Sequence, residues 1–380
     1  MNEIKKDEFG PEYVIEVYDP KIGMQGFLVI DNTTLGLGKG GIRMTPNVTK
    51  EEVFRLARVM TWKNSLAGIP FGGAKAGIVW KGGSDELKEE FVRSFARAIK
   101  PFVPKKYIPG PDVNTTEKEM AIIAEELGIW KGATGKPADY CYKNSRTGKK
   151  VCGLPHELGS TGFGVAQATV ATVEAAGFDI KKMTVAIDGF GNVGEFAFRH
   201  LREIGAKIVA VSGSRGGIYD VNGLDLKILL KLKSQNKPMT EYPTGKKIKH
   251  SEIFELPVDI LIPASVTDVI NENNKDKIKA KIIVEGANIP MREEVENELF
   301  KKGVIIVPDF VANAGGVISS YAEYRGYDSK KMFELVEEKL SCCAKEVMEK
   351  SLAENRNPRE TAMEIAKERI EKGMERNKFC

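Results

Sequence analysis

The chain has 380 residues, 42% hydrophobic and 29% charged, enough for two domains that each bury a core. Its 57 basic and 53 acidic residues leave a net charge of +4, which argues against a nucleic-acid or other polyanion partner. No apolar run approaches the ~18 residues that span a bilayer, so no membrane partner is expected. The first ten residues, MNEIKKDEFG, carry no apolar stretch behind their lysines and do not read as a secretory signal. Five cysteines, an odd number without an export signal, suit reduced thiols and a cytoplasmic location. None of the three histidines lies at zinc-ligand spacing from two cysteines, so no metal is expected.

In chain order, KIGMQGFLVID (21–31) reads as a strand apolar enough to be buried. Thr49 and Glu52 form a capping box before a helix with apolar positions Val53, Leu56, Ala57 and Met60. Ser84 caps a second helix whose face carries Leu87, Phe91, Phe95 and Ile99. Thr116 and Glu119 form another capping box before Met120, Ile123 and Leu127. From residue 183 the pattern changes. The run MTVAID meets a glycine turn, a helix-like stretch follows, and AKIVAVSG (206–213) closes a strand–helix–strand unit. VDILIPAS (258–265), AKIIVEGAN (280–288) and GVIIVPDFV (303–311) repeat the buried parallel-strand pattern. The last 50 residues read as helices, one with Met332, Leu335, Val336 and Leu340, another opened by Asn357 and Pro358.

The turn Gly189-Phe190-Gly191-Asn192-Val193-Gly194 fits the dinucleotide fingerprint. The first glycine makes the turn, the second admits the pyrophosphate, and the third lets helix pack on strand. The next strand ends in Ser212-Gly213-Ser214-Arg215, with no carboxylate to repel a 2′-phosphate and with hydroxyls and a guanidinium to bind one. NADP is therefore favoured, with NAD as the alternative.

Three lysines stand among glycines or on an apolar helix face: Lys39 before Gly40-Gly41, Lys63 three residues after Met60, and Lys75 in FGGAKAG. A poorly hydrated lysine near other cations has a lowered pKa and suits acid–base work, and others can bind carboxylates as charges. Asp112 lies in GPDVNT just before a helix, where a capping role is the plain reading.

The blocks KGGIRMTP (39–46), MTWKNSLAGIPFGGAKAGI (60–78), GPDVNT (110–115), TGKP (134–137), STGFGV (160–165), GFGNVG, EGAN (285–288) and NAGGVISSYAEY (313–324) make the chain resemble the glutamate/leucine/phenylalanine/valine dehydrogenase family. The resemblance covers residues 24 to 325. It implies an α/β fold with a substrate-binding domain, a Rossmann-like dinucleotide-binding domain and a cleft between them. The first domain is expected over 1–158, with helices 330–380 packed back on it, and the second over 159–329. By the same resemblance, Lys75 is the catalytic lysine and Asp112 relays protons at the amino group. Lys63 holds the α-carboxylate, and Gly40, Gly41 and Met60 line the substrate. Thr161, Ala264, Asn288 and Asn313 join the glycine turn around the cofactor. A homo-oligomer, a hexamer, is implied.

Lys39 and Ser320 stand where glutamate members bind the side-chain carboxylate. An ammonium buried against an apolar side chain would be uncompensated, so oxidative deamination of L-glutamate is the expected reaction. A branched-chain or aromatic amino acid is the alternative, which the leucine-like segment 31–44 and the small Gly110 support. A sensor without turnover would not need Lys75 or Asp112. The stretch 138–158 is longer than the family pattern and is expected to be a surface loop; Glu157 has no assigned role.

Overall fold

The structure is a computed structural model that describes residue 4 and residues 6–145 and 148–377. It divides into two compact units. One comprises residues 1–158, 317–335 and 365–380, and the other residues 159–316 and 336–364. The stretch 330–380, expected to belong wholly with the first domain, is thus shared, and 317–329 groups with the first unit rather than the second.

The first unit contains β1 (Tyr13–Asp19), β2 (Met24–Asn32), β3 (Leu37–Thr45), α1 (Lys50–Leu66), β4 (Phe71–Val79), α2 (Asp85–Ile99), β5 (Tyr107–Pro111) and α3 (Glu117–Leu127). Its five-stranded sheet runs β1-β2-β4-β3-β5. The β1/β2 and β2/β4 pairs are antiparallel, whereas β3 lies parallel to both β4 and β5. β2 shows no apolar–polar alternation because both faces are covered. Leu28 and Ile30 join a core with Phe91, Phe95 and Ile99 of α2 and Met120, Ile123 and Leu127 of α3. Phe27 and Val29 face the other way, toward Val53 and Ala57 of α1. Thr49 and Ser84 each accept an N–H of their first helical turn, and Thr116 with Glu119 makes the full box; the box expected of Thr49 and Glu52 does not close, and the Glu52 carboxylate pairs with Arg43 instead. β1, which the sequence reading leaves unassigned, is an edge strand with only Ile15 and Val17 turned to the core.

A second, two-stranded sheet joins β6 (Cys141–Lys143) to β7 (Lys150–Cys152). Cys141 and Cys152 stand directly opposite each other and form a disulfide. This corrects two expectations. The segment is not a plain loop, and these thiols are not free; the ladder itself brings the two sulfurs together. Cys342 and Cys343 are free, and Cys380 lies outside the described residues.

The second unit begins with α4 (Ser160–Ala175) and continues through β8 (Thr184–Asp188), α5 (Asn192–Ile204), β9 (Lys207–Gly213), β10 (Gly216–Tyr219), α6 (Leu226–Ser234), β11 (Lys246–Ile248), β12 (Ile260–Pro263), β13 (Ile282–Val284), α7 (Glu293–Lys301), β14 (Ile305–Val307) and α8 (Asp309–Ala312). Three helices, α9 (Gly315–Arg325), α10 (Ser329–Glu354) and α11 (Pro358–Asn377), complete the chain and contribute to both units. The sheet order is β11-β10-β9-β8-β12-β13-β14. β9, β8, β12, β13 and β14 are mutually parallel, and β10 and β11 extend the sheet antiparallel. The chain passes from β8 to β9 on one side and later to β12 on the other. The carboxyl ends of these strands are therefore a topological switch point, the usual ligand position of an open α/β sheet.

Candidate active site

In the first unit the sheet register gathers the polar residues. Lys39 on β3 pairs with Gly73 on β4, and Gly41 on β3 pairs with Gly110 on β5. Lys75 lies two residues beyond Gly73, and Asp112 directly follows β5. The Lys75 ammonium stands 2.9 Å from Asp112 Oδ2, and Arg43 Nε donates to the same oxygen at 3.1 Å. Burial pushes the Asp112 carboxyl up, but Lys75 and Arg43 outweigh it and hold it below its ordinary value. The aspartate is thus an ionised partner of Lys75 as well as a turn residue: its backbone N–H donates to Thr115 Oγ1 at 2.9 Å.

Lys39 is 3% exposed. A Cβ built on Gly110 would stand 2.4 Å from its Nζ, so the ammonium fills the space an alanine would need. Gly110 thus makes room for Lys39 rather than enlarging the pocket. Burial, reinforced by the Lys75 and Lys136 charges and opposed by Glu323, brings the Lys39 pKa down to about 7.

Lys136, Glu323 and Arg43 belong to this cluster and were not singled out by sequence. Lys136 and Glu323 are wholly buried and form an ion pair. Glu323 Oε2 also accepts the N–H groups of Gly135 at 2.7 Å and Leu154 at 2.8 Å, and Lys136 Nζ lies 3.9 Å from the Trp130 ring centroid. The pair fixes segment 134–154 to α9, the helix that carries Ser320. Lys63 and Met60 are half-buried in the last turns of α1, and Ser320 is half-buried on α9. Asn64, next to Lys63, is buried and donates to the Gly72 carbonyl at 2.6 Å, which ties α1 to β4.

In the second unit the glycine turn has the form expected for a dinucleotide. Gly189 has φ +93°, and a Cβ on Gly194 would stand 1.9 Å from the Gly189 carbonyl oxygen. A Cβ on Gly191 would meet nothing within 4 Å, so the turn is open where a pyrophosphate would lie. α5 starts at Asn192 behind Gly191 with no side-chain cap, which leaves its first N–H groups for an anion. Phe190 is buried against Phe198. A Cβ on Gly286 would stand 3.2 Å from Ala264 Cβ and 3.3 Å from Val193 Cγ1, and one on Gly316 would stand 3.1 Å from Thr161 Oγ1. Asn313 Nδ2 donates to Asn288 Oδ1 at 3.0 Å. The fold thus collects these expected cofactor residues around the switch point. The 2′-phosphate group divides. Ser214 and Arg215 are exposed, with Arg215 donating to the Asn236 carbonyl at 2.6 Å. Ser212 is wholly buried and donates to Asp188 Oδ1 at 2.8 Å, so its hydroxyl faces inward. β9 ends at Gly213, so Ser214 and Arg215 lie in the turn before β10, beyond the buried strand.

Beneath Asn288 and Asn313 lies an acidic cluster held by one cation. Arg359 of α11 bonds Glu296 at 2.5 Å and Glu285 at 3.0 Å, and reaches Asp309 at 3.5 Å. Glu285 accepts the Asp309 N–H at 2.7 Å, and Asp309 accepts the N–H of Ile289, which has φ +49°. Burial and the neighbouring carboxylates hold Glu285 well above its ordinary pKa, opposed by Arg359. Arg359→Met leaves these carboxylates uncompensated. We expect a loss of about 3–5 kcal/mol, or a Tm drop of roughly 6–20 °C by calorimetry. A drop under ~2 °C would show that the carboxylates are neutral without the arginine.

Among the described residues, no helix is long and apolar enough to cross a membrane, and no group of three or more His, Cys, Asp or Glu side chains could hold a metal ion.

A parallel sheet with an open glycine turn at its switch point, in a chain that also buries a lysine–aspartate pair, defines the class of dinucleotide-dependent α/β dehydrogenases. Residues 11–128 match the Glu/Leu/Phe/Val dehydrogenase dimerisation domain, and residues 153–377 match Glutamate/Leucine/Phenylalanine/Valine dehydrogenase. The chain belongs to this family. It is 42% identical over 362 residues to a glutamate dehydrogenase of Aeropyrum pernix, covering 90% of this chain and 84% of that one. It is 39% identical over 332 residues to an NADP-specific glutamate dehydrogenase of Saccharolobus shibatae, covering 83% and 75%. Among solved structures, a hetero-hexameric glutamate dehydrogenase of Thermus thermophilus in a leucine-bound form superposes with a TM-score of 0.80 at 26% identity, covering 96% and 89%.

Proposed function

We propose that the chain catalyses the NADP-linked oxidative deamination of L-glutamate to 2-oxoglutarate and ammonia, and its reverse, with NAD as a second cofactor. The observation that carries the substrate is Lys39: an ammonium placed over Gly110 and 3% exposed needs a carboxylate partner, which a leucine or phenylalanine side chain does not supply. The glutamate dehydrogenases of A. pernix and S. shibatae support the same reading.

The nicotinamide cofactor, when bound, accepts or returns the hydride of the substrate Cα. This chain's residues do the rest. Lys63 receives the α-carboxylate. Lys39 and Ser320 receive the side-chain carboxylate. Lys75, beside the ionised Asp112, activates the water that attacks the imine carbon. Asp112 takes the proton released from the amino group and returns it in the reverse direction. Arg43 fixes Asp112, and Lys136 with Glu323 fixes the floor behind Lys39. Around the cofactor, Gly191 and the first turn of α5 receive the pyrophosphate, Ser214 and Arg215 the 2′-phosphate, and Asn288 and Asn313 the nicotinamide end.

The working form is a homo-oligomer; the T. thermophilus relative is hexameric, though hetero-hexameric. The dinucleotide is regenerated within the cell, which supports a cytoplasmic location, where a reducing poise would act on the Cys141–Cys152 bond. Initial rates of NADPH and NADH oxidation with ammonia and a panel of 2-oxo acids test the proposal. The expected result is fast turnover of 2-oxoglutarate, faster with NADPH. Preference for 2-oxoisocaproate or phenylpyruvate would mean that Lys39 does not meet the substrate side chain.

A further inference from the structure

The dinucleotide-binding unit holds a titratable side chain to which the reaction gives no work. His250 opens a 3-10 turn, His250–Glu255, and its Nε2 lies 2.7 Å from Asp188 Oδ1. Asp188 ends β8 immediately before Gly189 and is wholly buried. The same Oδ1 accepts the Ser212 hydroxyl from the end of β9, and Oδ2 accepts the Ser265 hydroxyl from just beyond β12. Asp188 thus laces together the carboxyl ends of the three strands that form the switch point, and His250 is bound to that knot.

A buried carboxylate with two hydroxyl donors and one imidazole has a single candidate counter-charge, the imidazolium. No other ion pair to Asp188 forms among the described residues. The imidazole is 35% exposed, so the ring can be reached from the surface. The groups packed around the ring are otherwise neutral. β9 presents Ser212, β10 opposes it with Gly217, and Phe254 meets the ring edge-on at 5.9 Å. Of the two acidic groups on its own turn, Glu252 accepts the Lys249 N–H at 2.6 Å and Glu255 pairs with Lys277 at 2.9 Å.

We infer that His250, held by Asp188, is a specificity-determining residue that favours the 2′-phosphate of NADP(H) over the 2′-hydroxyl of NAD(H) while its ring is protonated. The inference rests on the dinucleotide reading of the glycine turn. It adds to Arg215 a second cationic group, tied to the end of β9 through the Asp188 Oδ1 that Ser212 also meets, and sequence motifs do not reveal it because 38 residues separate it from Ser212.

The hydrogen bond that the ring donates to Asp188 raises the His250 pKa above its usual value, against a smaller effect of burial. The ring is therefore charged on the acid side of that raised value and loses its charge as pH climbs through it. The 2′-phosphate's own second ionisation, at about pH 6, acts in the opposite sense, so the informative range lies above it.

The test is equilibrium binding of NADPH and of NADH to the intact enzyme without substrate, followed by nucleotide fluorescence from pH 6.5 to 9. Substrate-site lysines act equally on both nucleotides and cancel in the ratio of the two Kd values. For the natural protein we expect the preference for NADPH to fall roughly tenfold across that range. His250→Asn, which retains a donor to Asp188 but no charge, is expected to show the lower preference at every pH. His250→Lys is expected to keep the higher preference throughout. A pH-independent ratio in the natural protein, or an unchanged ratio in His250→Asn, overturns the inference while leaving the dinucleotide site intact. Failure of the natural protein to bind either nucleotide removes the underlying reading, and this inference with it.

Discussion

Replacing Lys75 with alanine is expected to lower kcat for glutamate deamination by roughly 10³- to 10⁴-fold, the upper range for removal of a positioned acid–base group. The substitution takes away the ammonium 2.9 Å from Asp112 Oδ2 but leaves Arg43 on that same oxygen, so the carboxylate keeps a cationic partner. The sheet should survive, because Lys75 lies on the face of β4 opposite Ala74, Ala76 and Ile78, which join the apolar core. NADPH affinity, measured by fluorescence titration, is expected to stay within about twofold, since the glycine turn belongs to the other unit. A near-normal kcat in Lys75→Ala would remove the assignment and leave Asp112 as the group to test next. A loss of NADPH binding equal to the loss of rate would instead point to a collapsed fold. Lys75→Arg separates charge from proton transfer, because a guanidinium keeps the ion pair and does not release its proton. We expect Lys75→Arg to remain as inactive as the alanine variant.

The parts legible in the sequence are those specified by near neighbours. The caps of α1, α2 and α3 depend on residues two or three apart, and the β8–α5–β9 unit on an apolar run, a glycine turn and a second run. Lys39, Lys75 and Asp112 could be singled out because glycine and proline around them are unusual company for charged groups. What escaped notice is long-range. Lys136 meets Glu323 across 187 positions. Arg359 meets Glu285 across 74. Nothing in the local pattern of either partner announces the other. A buried charge looks like a surface charge until its counter-charge is in view. Ser212 shows the complementary error. Its position at the end of β9 was recognised, but the side to which its hydroxyl turns is set by Asp188, 24 residues earlier. The disulfide has the same cause, since only the pairing of β6 with β7 brings Cys141 opposite Cys152.

The buried pairs share one consequence for the site. Lys136 and Glu323 compensate each other, as do Arg43 and Lys75 with Glu52 and Asp112, but among the described residues Lys39 forms no ion pair and feels Glu323 only at longer range. A substrate carboxylate would complete this arrangement, and Lys39→Met should expose how much it matters. We expect kcat/KM for glutamate to fall roughly 10²- to 10³-fold, the cost of removing one member of a buried charge pair. Norvaline and leucine should lose little or improve, because the methionine offers them an apolar wall. The pH dependence gives a second, independent sign. In the substrate-free enzyme Lys39 has a pKa of about 7, so its charged form dominates below that value and its neutral form above it. Binding a side-chain carboxylate requires the charged form, and above pH 7 it must therefore draw a proton from solution. The inhibition constant of glutarate, a substrate-shaped dicarboxylate that cannot react, should accordingly weaken as pH rises past 7, up to about tenfold per pH unit. Pentanoate, which lacks the second carboxylate, should not share this slope, and Lys39→Met should abolish it for glutarate. If glutarate and pentanoate lose affinity in parallel, or if the slope survives in the variant, the titrating group is not Lys39 and another side chain selects the substrate.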